Sequence, residues 1–479
     1  MACSTAQRLE EFGLALAATS KKSKLRQILG AVFALSLTFS CAAKADDFKL
    51  DAQQIAYYQS GTEAARVRLL IELIKNNHAD MAEALMKRFP LAGPLAQNRI
   101  YFLQGLILES RGQLADSATK FRAALANDPK LTLVRSELAM VLARMNETDS
   151  AKHHLELLAA DAPDSVQQAG IRSFIDSLNA SHPFTFSGFI SIAPSTNINQ
   201  GSSHDTVYSP GLGGTAGVDP FGTIAASSQK QSGTGAAAGF NVGYSKNLSE
   251  RIQAVLAVGA NGTYYPVTGL TSAGLSQSAE LRYITGHGFV GFGGTAAEGI
   301  DTTARALNYT SYGPRLSWAH RLTERDQFTG YVSYEWRNYA GSPSFNGNAL
   351  TLWSVFTHAL DSSSNVALML GYDSVKQQDA FNSYYGGTFG LGFYKELPHG
   401  VTVQSQGTAH LAQFYDQNPF TLSTRQDTNL AGSLTLTKRD WNWFGFAPSL
   451  NYTYTRNFSN ISIYDYDSHS VDFRLTKDF

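Results

Sequence analysis

Histidines are the first residues to test for chemistry, because imidazole binds metals and moves protons near neutral pH. This 479-residue chain has 11 of them, and they form no local ligand motif. His153-His154 falls in a predicted helix and reads as solvated surface, not as a metal site. Glycine-rich segments are the second test. "GFGGTAAEG" (291–299) lies in a predicted strand and opens no helix, so it lacks the setting that holds a phosphate. No carboxylate pair suited to hydrolysis is recognisable. The sequence therefore predicts no enzyme, no cofactor and no metal site. A net charge of −1 gives no electrostatic reason to expect a nucleic-acid partner.

What remains is "APSTNINQGSS" (193–203), in which Asn197 and Asn199 flank Ile198 three residues after Pro194. Asparagine side chains cap backbone groups where a strand turns, and asparagine tolerates left-handed backbone. The segment is thus expected at a strand end. Its meaning depends on the elements around it.

Those elements begin with a leader. The basic "KKSKLR" (21–26) precedes an apolar run, "ILGAVFALSLTF" (28–39), which is too short for a mature membrane helix. Ala43-Lys44-Ala45 follows with the small-x-small pattern of signal-peptidase cleavage. Residues 1–45 read as a secretory signal peptide, with Asp46 as the mature N-terminus. Acylation at Cys41 would need a better lipobox than Thr38-Phe39-Ser40. The only cysteines are Cys3 and Cys41, so the predicted mature chain holds no thiol and no disulfide.

Residues 46–182 carry a 34-residue self-similarity. Gly105 and Ala139, Ser117 and Ala151, Phe121 and Leu155, and Pro129 and Pro163 all stand 34 apart. Small residues at the first two pairs let two helices approach closely, and the prolines end the second helix because they lack an N–H. This is a tetratricopeptide signature. A weaker upstream copy places Ala82, Met86 and Pro94 with a one-residue slip, and residues 164–180 suit a capping helix. The concave face of such a stack is its default peptide-binding surface.

After Pro183 the period changes from 3.6 to 2. Phe184, Phe186, Gly188, Ile190 and Ile192 share a face. In 384–394, Tyr385, Phe389, Leu391 and Phe393 face one way while Gly386, Thr388, Gly390 and Gly392 face the other. Apolar and aromatic residues on one side, with Gly, Ser, Thr and Asn on the other, suit a lipid-facing outside and a polar inside. About fourteen strands of roughly ten to fourteen residues are expected. Short links (247–251, 285–288, 322–326, 360–364, 396–400, 438–442) alternate with longer ones (195–233, 264–275, 299–308, 338–348, 375–383, 414–428, 457–466). That asymmetry places the short links in the periplasm and the long ones outside. An even strand count puts both barrel ends, and therefore the helices, in the periplasm. Val471, Phe473, Leu475 and Phe479 share a face at the C-terminus, the pattern read by the barrel-insertion machinery. Trp318, Trp336, Trp353, Trp441 and Trp443 all fall here, several near strand ends where girdle aromatics belong.

The expected chain is multidomain: a signal peptide (1–45), an all-α periplasmic tetratricopeptide-repeat domain (46–182) and an all-β transmembrane antiparallel barrel of about 14 strands (183–479). In this order of parts it resembles the surface lipoprotein assembly modifiers, the Slam proteins. Pro194, Asn197, Ile198 and Asn199 match the segment that follows the first barrel strand in that family. The resemblance implies a type XI secretion translocon in the outer membrane of a Gram-negative bacterium. Its clients would be surface lipoproteins or soluble haem- or metal-binding proteins. Its other partners would be outer-membrane lipid, the barrel-insertion machinery and periplasmic chaperones. The alternative is an exopolysaccharide export porin with a tetratricopeptide domain. Such exporters usually carry many more repeats.

Overall fold

The computed structural model describes residues 52–477, apart from positions 94, 163, 211–220, 303–306, 440, 442 and 444–445. The predicted leader, Pro94, Pro163 and Phe479 therefore lie outside the described residues. Eight described helices come first: α1 (Ala52–Ser60), α2 (Glu63–Lys75), α3 (Ala79–Arg88), α4 (Ala96–Ser110), α5 (Leu114–Asn127), α6 (Thr132–Arg144), α7 (Thr148–Asp161) and α8 (Ser165–Ser181). Their starts follow local chemistry. Thr62 caps α2 by accepting from the Ala65 amide, and Asp164 caps α8 by accepting from the amides of Val166 and Gln167. Gly112 turns the chain between α4 and α5 at φ +75°, a conformation glycine adopts without strain.

Packing in the helical stack depends on small residues. The Phe121 ring sits directly against Gly105, where any Cβ would overlap it, and Ser117 Oγ donates to the Gly105 carbonyl at 2.9 Å. Phe121 is wholly buried, as are Leu70, Leu103, Leu138 and Leu142. Burial of one such side chain contributes about 1.5–3 kcal/mol. Ala139, Ala151 and Leu155 lie buried in the next helix pair.

From Phe184 to Lys477 the chain forms strands. Fourteen of them close into an antiparallel ring in the order β1-β16-β15-β14-β13-β12-β11-β10-β9-β8-β7-β6-β5-β4. In chain order these are β1 (Phe184–Ser195), β4 (Gly233–Asn247), β5 (Ile252–Tyr265), β6 (Leu270–Thr285), β7 (Gly288–Asp301), β8 (Leu307–Arg321), β9 (Asp326–Ala340), β10 (Gly347–Asp361), β11 (Ser364–Gln377), β12 (Tyr384–Leu397), β13 (Val401–Gln417), β14 (Thr424–Lys438), β15 (Ala447–Ser459) and β16 (Tyr466–Lys477). Two three-residue strands, β2 (Thr206–Tyr208) and β3 (Phe221–Thr223), form a separate hairpin in the β1–β4 connection. Closure leaves no free sheet edge. It is made by β1, which pairs with β4 along its whole length and with β16 between Gly188↔Lys477 and Ser195↔Ser470.

The alternation lands as the sequence predicts. Ile190, Phe292, Leu391 and Phe473 are more than half exposed on the outer face. The expected lengths change. The strands run longer than expected, up to 17 residues in β13, so the far links shrink. The region 264–275, read as a long link, is mostly strand, with only 266–269 between β5 and β6. Only the β1–β4 connection is long. Of the five tryptophans, Trp353 lies inside the barrel and not in a girdle. It pairs with Gly371 and Tyr331 on the inner face, and a methyl at Gly371 would come within 2.7 Å of its ring. The glycine leaves a slot that the indole fills.

Candidate functional site

The barrel interior is the first candidate site. Its wall is polar, and its charges are arranged in a recurring way. Residues two apart in a strand share a face. Four strands use this to place an acid beside an arginine on the inner face: Glu280 and Arg282 on β6, Glu335 and Arg337 on β9, Arg425 and Asp427 on β14, and Asp472 and Arg474 on β16. The Arg425–Asp427 contact is two-pronged, at 3.0 and 2.5 Å, and Arg474 meets Asp472 at 2.8 Å. Asp373 on β11 holds His410 on β13 at 2.9 Å. Three of the guanidinium groups also lie over a ring on the neighbouring strand: Arg282 over Phe289, Arg425 over Phe414 and Arg474 over Phe189. Such stacking favours a cation lying along the wall over one reaching into the passage.

The near mouth, where β1 starts and β16 ends, carries the helices. α7 touches both β1 and β10. Those strands are seven steps apart in either direction around the ring of fourteen, so α7 spans a diameter of the opening. α8 touches β4, and α5 packs on the 398–400 turn between β12 and β13. The tie at the centre is Arg135 of α6. Its side chain is fully buried and meets Glu396 of β12 in a two-pronged ion pair at 2.6 and 3.3 Å. The same guanidinium donates to the Pro129 carbonyl at 2.5 Å and to His154 Nδ1 at 3.2 Å. Arginine has no acceptor, so that ring nitrogen must accept and the imidazole is neutral. Burial, with Arg135 and His153 beside it, pushes His154 well below the usual imidazole range. Tyr394 donates to Glu396 and meets His153 Nε2, each at 3.3 Å. A peripheral pair, Lys130 and Asp361, adds a contact at 3.1 Å. A cavity of about 300 Å³ lies beside α7, lined by Asp149, Lys152, Phe186, Asn241 and Lys477 among others.

The histidine pair is thus not solvated surface. It is part of the contact between helices and barrel, and sequence neighbours gave no hint of that partner.

The far mouth holds the asparagine segment. Asn197 exchanges bonds with Gly201, donating to its carbonyl at 2.9 Å and accepting from its amide at 2.8 Å, and also donates to the Asp467 carbonyl of β16 at 2.9 Å. Asn199 donates to the carbonyls of Ser227 and Gln229 and accepts from the Gln231 amide. Ile198 between them is buried and reaches toward Gly233 at the top of β4. The two carboxamides therefore bind the beginning of the long connection to its end and both to β16. Pro194 sits just below. Thr196, two residues on, gives its amide to His469 of β16, so Pro194 faces the same neighbour and leaves that ladder one donor short. Further along, Ser462 donates to the Thr206 carbonyl and Ser209 to the Phe420 carbonyl, each at 2.9 Å. The connection thus reaches past β16, β15 and β14 to the 418–423 loop.

The predicted residues occupy separate places. Gly105, Ser117, Phe121, Ala139, Ala151 and Leu155 are in the helical core, and Pro129 lends its carbonyl to the near-mouth contact. Asn197, Ile198 and Asn199 are at the far mouth. Val471, Phe473 and Leu475 face outward on β16. Sequence reading missed the acid–arginine pairs, although "ELR" (280–282), "EWR" (335–337) and "DFR" (472–474) show the spacing plainly within alternating strands. It also missed Arg135 and Glu396, 261 residues apart, for which no local signal exists.

Known proteins resemble this chain over most of its length. A family model described as surface lipoprotein assembly modifier matches residues 185–479. The surface lipoprotein assembly modifier 1 of Haemophilus influenzae is 21% identical over 423 residues, which are 86% of this chain and 84% of that protein. The surface lipoprotein assembly modifier of Pasteurella multocida is 22% identical over 442 residues, 86% of this chain and 82% of the other.

Proposed function

This chain belongs to the surface lipoprotein assembly modifier family, and from that membership we propose that it carries client proteins across the outer membrane, from the periplasm to the cell surface or the medium. The clients are surface lipoproteins or soluble haem- or metal-binding proteins. The observation that carries this reading is the arrangement of parts: a closed, polar-walled barrel with a helical stack seated across one mouth. The near mouth is periplasmic. The helices recruit the client there and raise its local concentration at the opening. A client that passes through the opening spanned by α7 needs the Arg135–Glu396 contact to release; one that passes beside the stack does not.

The test is a comparison of cells lacking the gene with complemented cells. Surface-shaved peptides and the culture medium are both read by mass spectrometry. The expected result is that one or a few proteins vanish from outside while their periplasmic level holds or rises. Loss of a sugar polymer alone, with every external protein unchanged, would overturn the reading in favour of polysaccharide export.

A further inference from the structure

The four acid–arginine pairs of the inner wall leave two arginines of β8 outside the pattern, Arg315 within the wall and Arg321 at the near end of the strand. Arg315, facing inward from β8, lies over the Tyr331 ring at 4.0 Å, and among the described residues it has no carboxylate within ion-pair distance. The arginines of the four pairs are neutralised from within their own strand. Pairing within a strand has a particular consequence. It needs no neighbour to be in register, so each arginine stays cancelled and held against the wall even as the barrel flexes. Aromatic side chains are treated similarly. Phe189 lies against Gly239 and Trp353 against Gly371, where the missing side chain lets the ring lie flat.

We propose that the acids of these pairs set the charge selectivity of the passage. They cancel the wall arginines, so that the lumen has no standing preference for either sign beyond a weak attraction for anions at Arg315. The proposal rests on the translocation reading for its purpose, since a passage for varied polypeptide should not hold either charge, but its measurement does not depend on any client. Glu280 makes the case testable. It accepts from Arg282 and from Ser317 Oγ at 2.8 Å, so glutamine in its place removes the charge and keeps hydrogen-bonding capacity. An uncancelled unit charge about 8 Å away changes the local concentration of a monovalent ion roughly two- to threefold, in opposite directions for anions and cations.

The experiment uses the full chain in liposomes, with Cys3 and Cys41 replaced by serine and one cysteine at Ser278, the next inward position on β6. Methanethiosulfonate reagents of opposite charge are applied, and the ratio of their rates is compared with that for a small free thiol. Heat-modifiable migration confirms that each variant is folded. In the parent the ratio should match the free thiol within about twofold. Glu280→Gln should shift it about fivefold toward the anionic reagent. The swapped pair Glu280→Arg/Arg282→Glu should restore the parent ratio, which a purely structural role for Glu280 does not explain. Arg315→Gln should move it toward the cationic reagent. An unchanged ratio in folded Glu280→Gln, a parent ratio already strongly biased, or failure of both reagents to reach the site would each overturn the proposal. If the ratios behave as expected while no client depends on the gene, the charge assignment stands and the translocation reading falls.

Discussion

Arg135 shows what a single residue can do that its sequence neighbours cannot announce. A guanidinium fully buried against Glu396 contributes less net stability than its short distances suggest, because both charges have left water. Removing one partner is another matter, since it strands the other. Arg135→Ala should therefore weaken helix docking by about 3–5 kcal/mol, seen as faster hydrogen exchange in α7 with the barrel unaffected. Combining it with Glu396→Leu should recover part of the loss. His154 adds a pH dependence with a definite sign. Its folded pKa is depressed, so the unfolded or undocked state binds a proton more readily. Docking is then full above the ordinary imidazole pKa of about 6.5 and weakens as pH falls through it. His154→Gln should flatten α7 exchange between about pH 7.5 and 5.5. Glu137 on α6 has the opposite sense. Burial, reinforced by Glu109 and opposed by Lys75, raises its carboxyl to about 7. The folded state thus holds a proton that the unfolded state loses above about pH 4.3, and this stability drains away as pH rises to 7. Glu137→Gln should stabilise the helical stack at pH 8, by about 1–3 kcal/mol, and leave its melting temperature unchanged below about pH 4. None of this was legible in the sequence, because burial and a partner hundreds of residues away decide it.

At the scale of elements the sequence was far more legible, and the reason is geometric. A strand between lipid and a polar interior must alternate, so each inward and outward set could be read directly, as on β12 and β15. Strand ends were harder to read. Alternation continues beyond the membrane wherever pairing continues, which is why 264–275 became strand. The asparagine segment lies between these cases. Its position at a strand end was readable, whereas its partners at 227–231 and 467 were not. Buried carboxamides that lose their bonds leave carbonyls and amides unsatisfied, at about 1–3 kcal/mol per group. Asn197→Ala with Asn199→Ala should therefore make the 196–232 connection sensitive to external protease, while the heat-modifiable barrel persists and yield falls only slightly. If the segment merely braces this connection, export per folded barrel should hold. A fall in export at constant yield would instead place these residues on the client's path. Phe473 tests the outer face of the closing strand. Phe473→Arg, on the exposed outer face, should destabilise the barrel by up to about 2–4 kcal/mol and reduce the heat-modifiable fraction.

For the whole molecule, the seating of the helices poses the sharpest question, because α7 crosses the mouth that a client would enter under the proposed function. Two descriptions are open to experiment. In one, the stack is a fixed platform and clients pass beside it. In the other, it swings clear, and the buried Arg135–Glu396 pair is the contact that breaks and reforms. The Lys130–Asp361 contact allows a decision, since it lies at the periphery of the same interface and is largely exposed on the lysine side. Cysteines at these two positions, joined by a short thiol-specific cross-linker in a background lacking Cys3 and Cys41, would hold the stack closed without altering the lumen. A cleavable linker makes the block reversible. If release is required, export should drop at least tenfold on cross-linking and return on cleavage, while each single cysteine treated alike keeps full export. Deleting 46–182 gives the complementary result: an open, heat-modifiable barrel that exports poorly for want of recruitment. Cross-linked protein that exports at the parent rate would mean the helices stay seated during passage, and the route would then lie between α7 and the barrel wall.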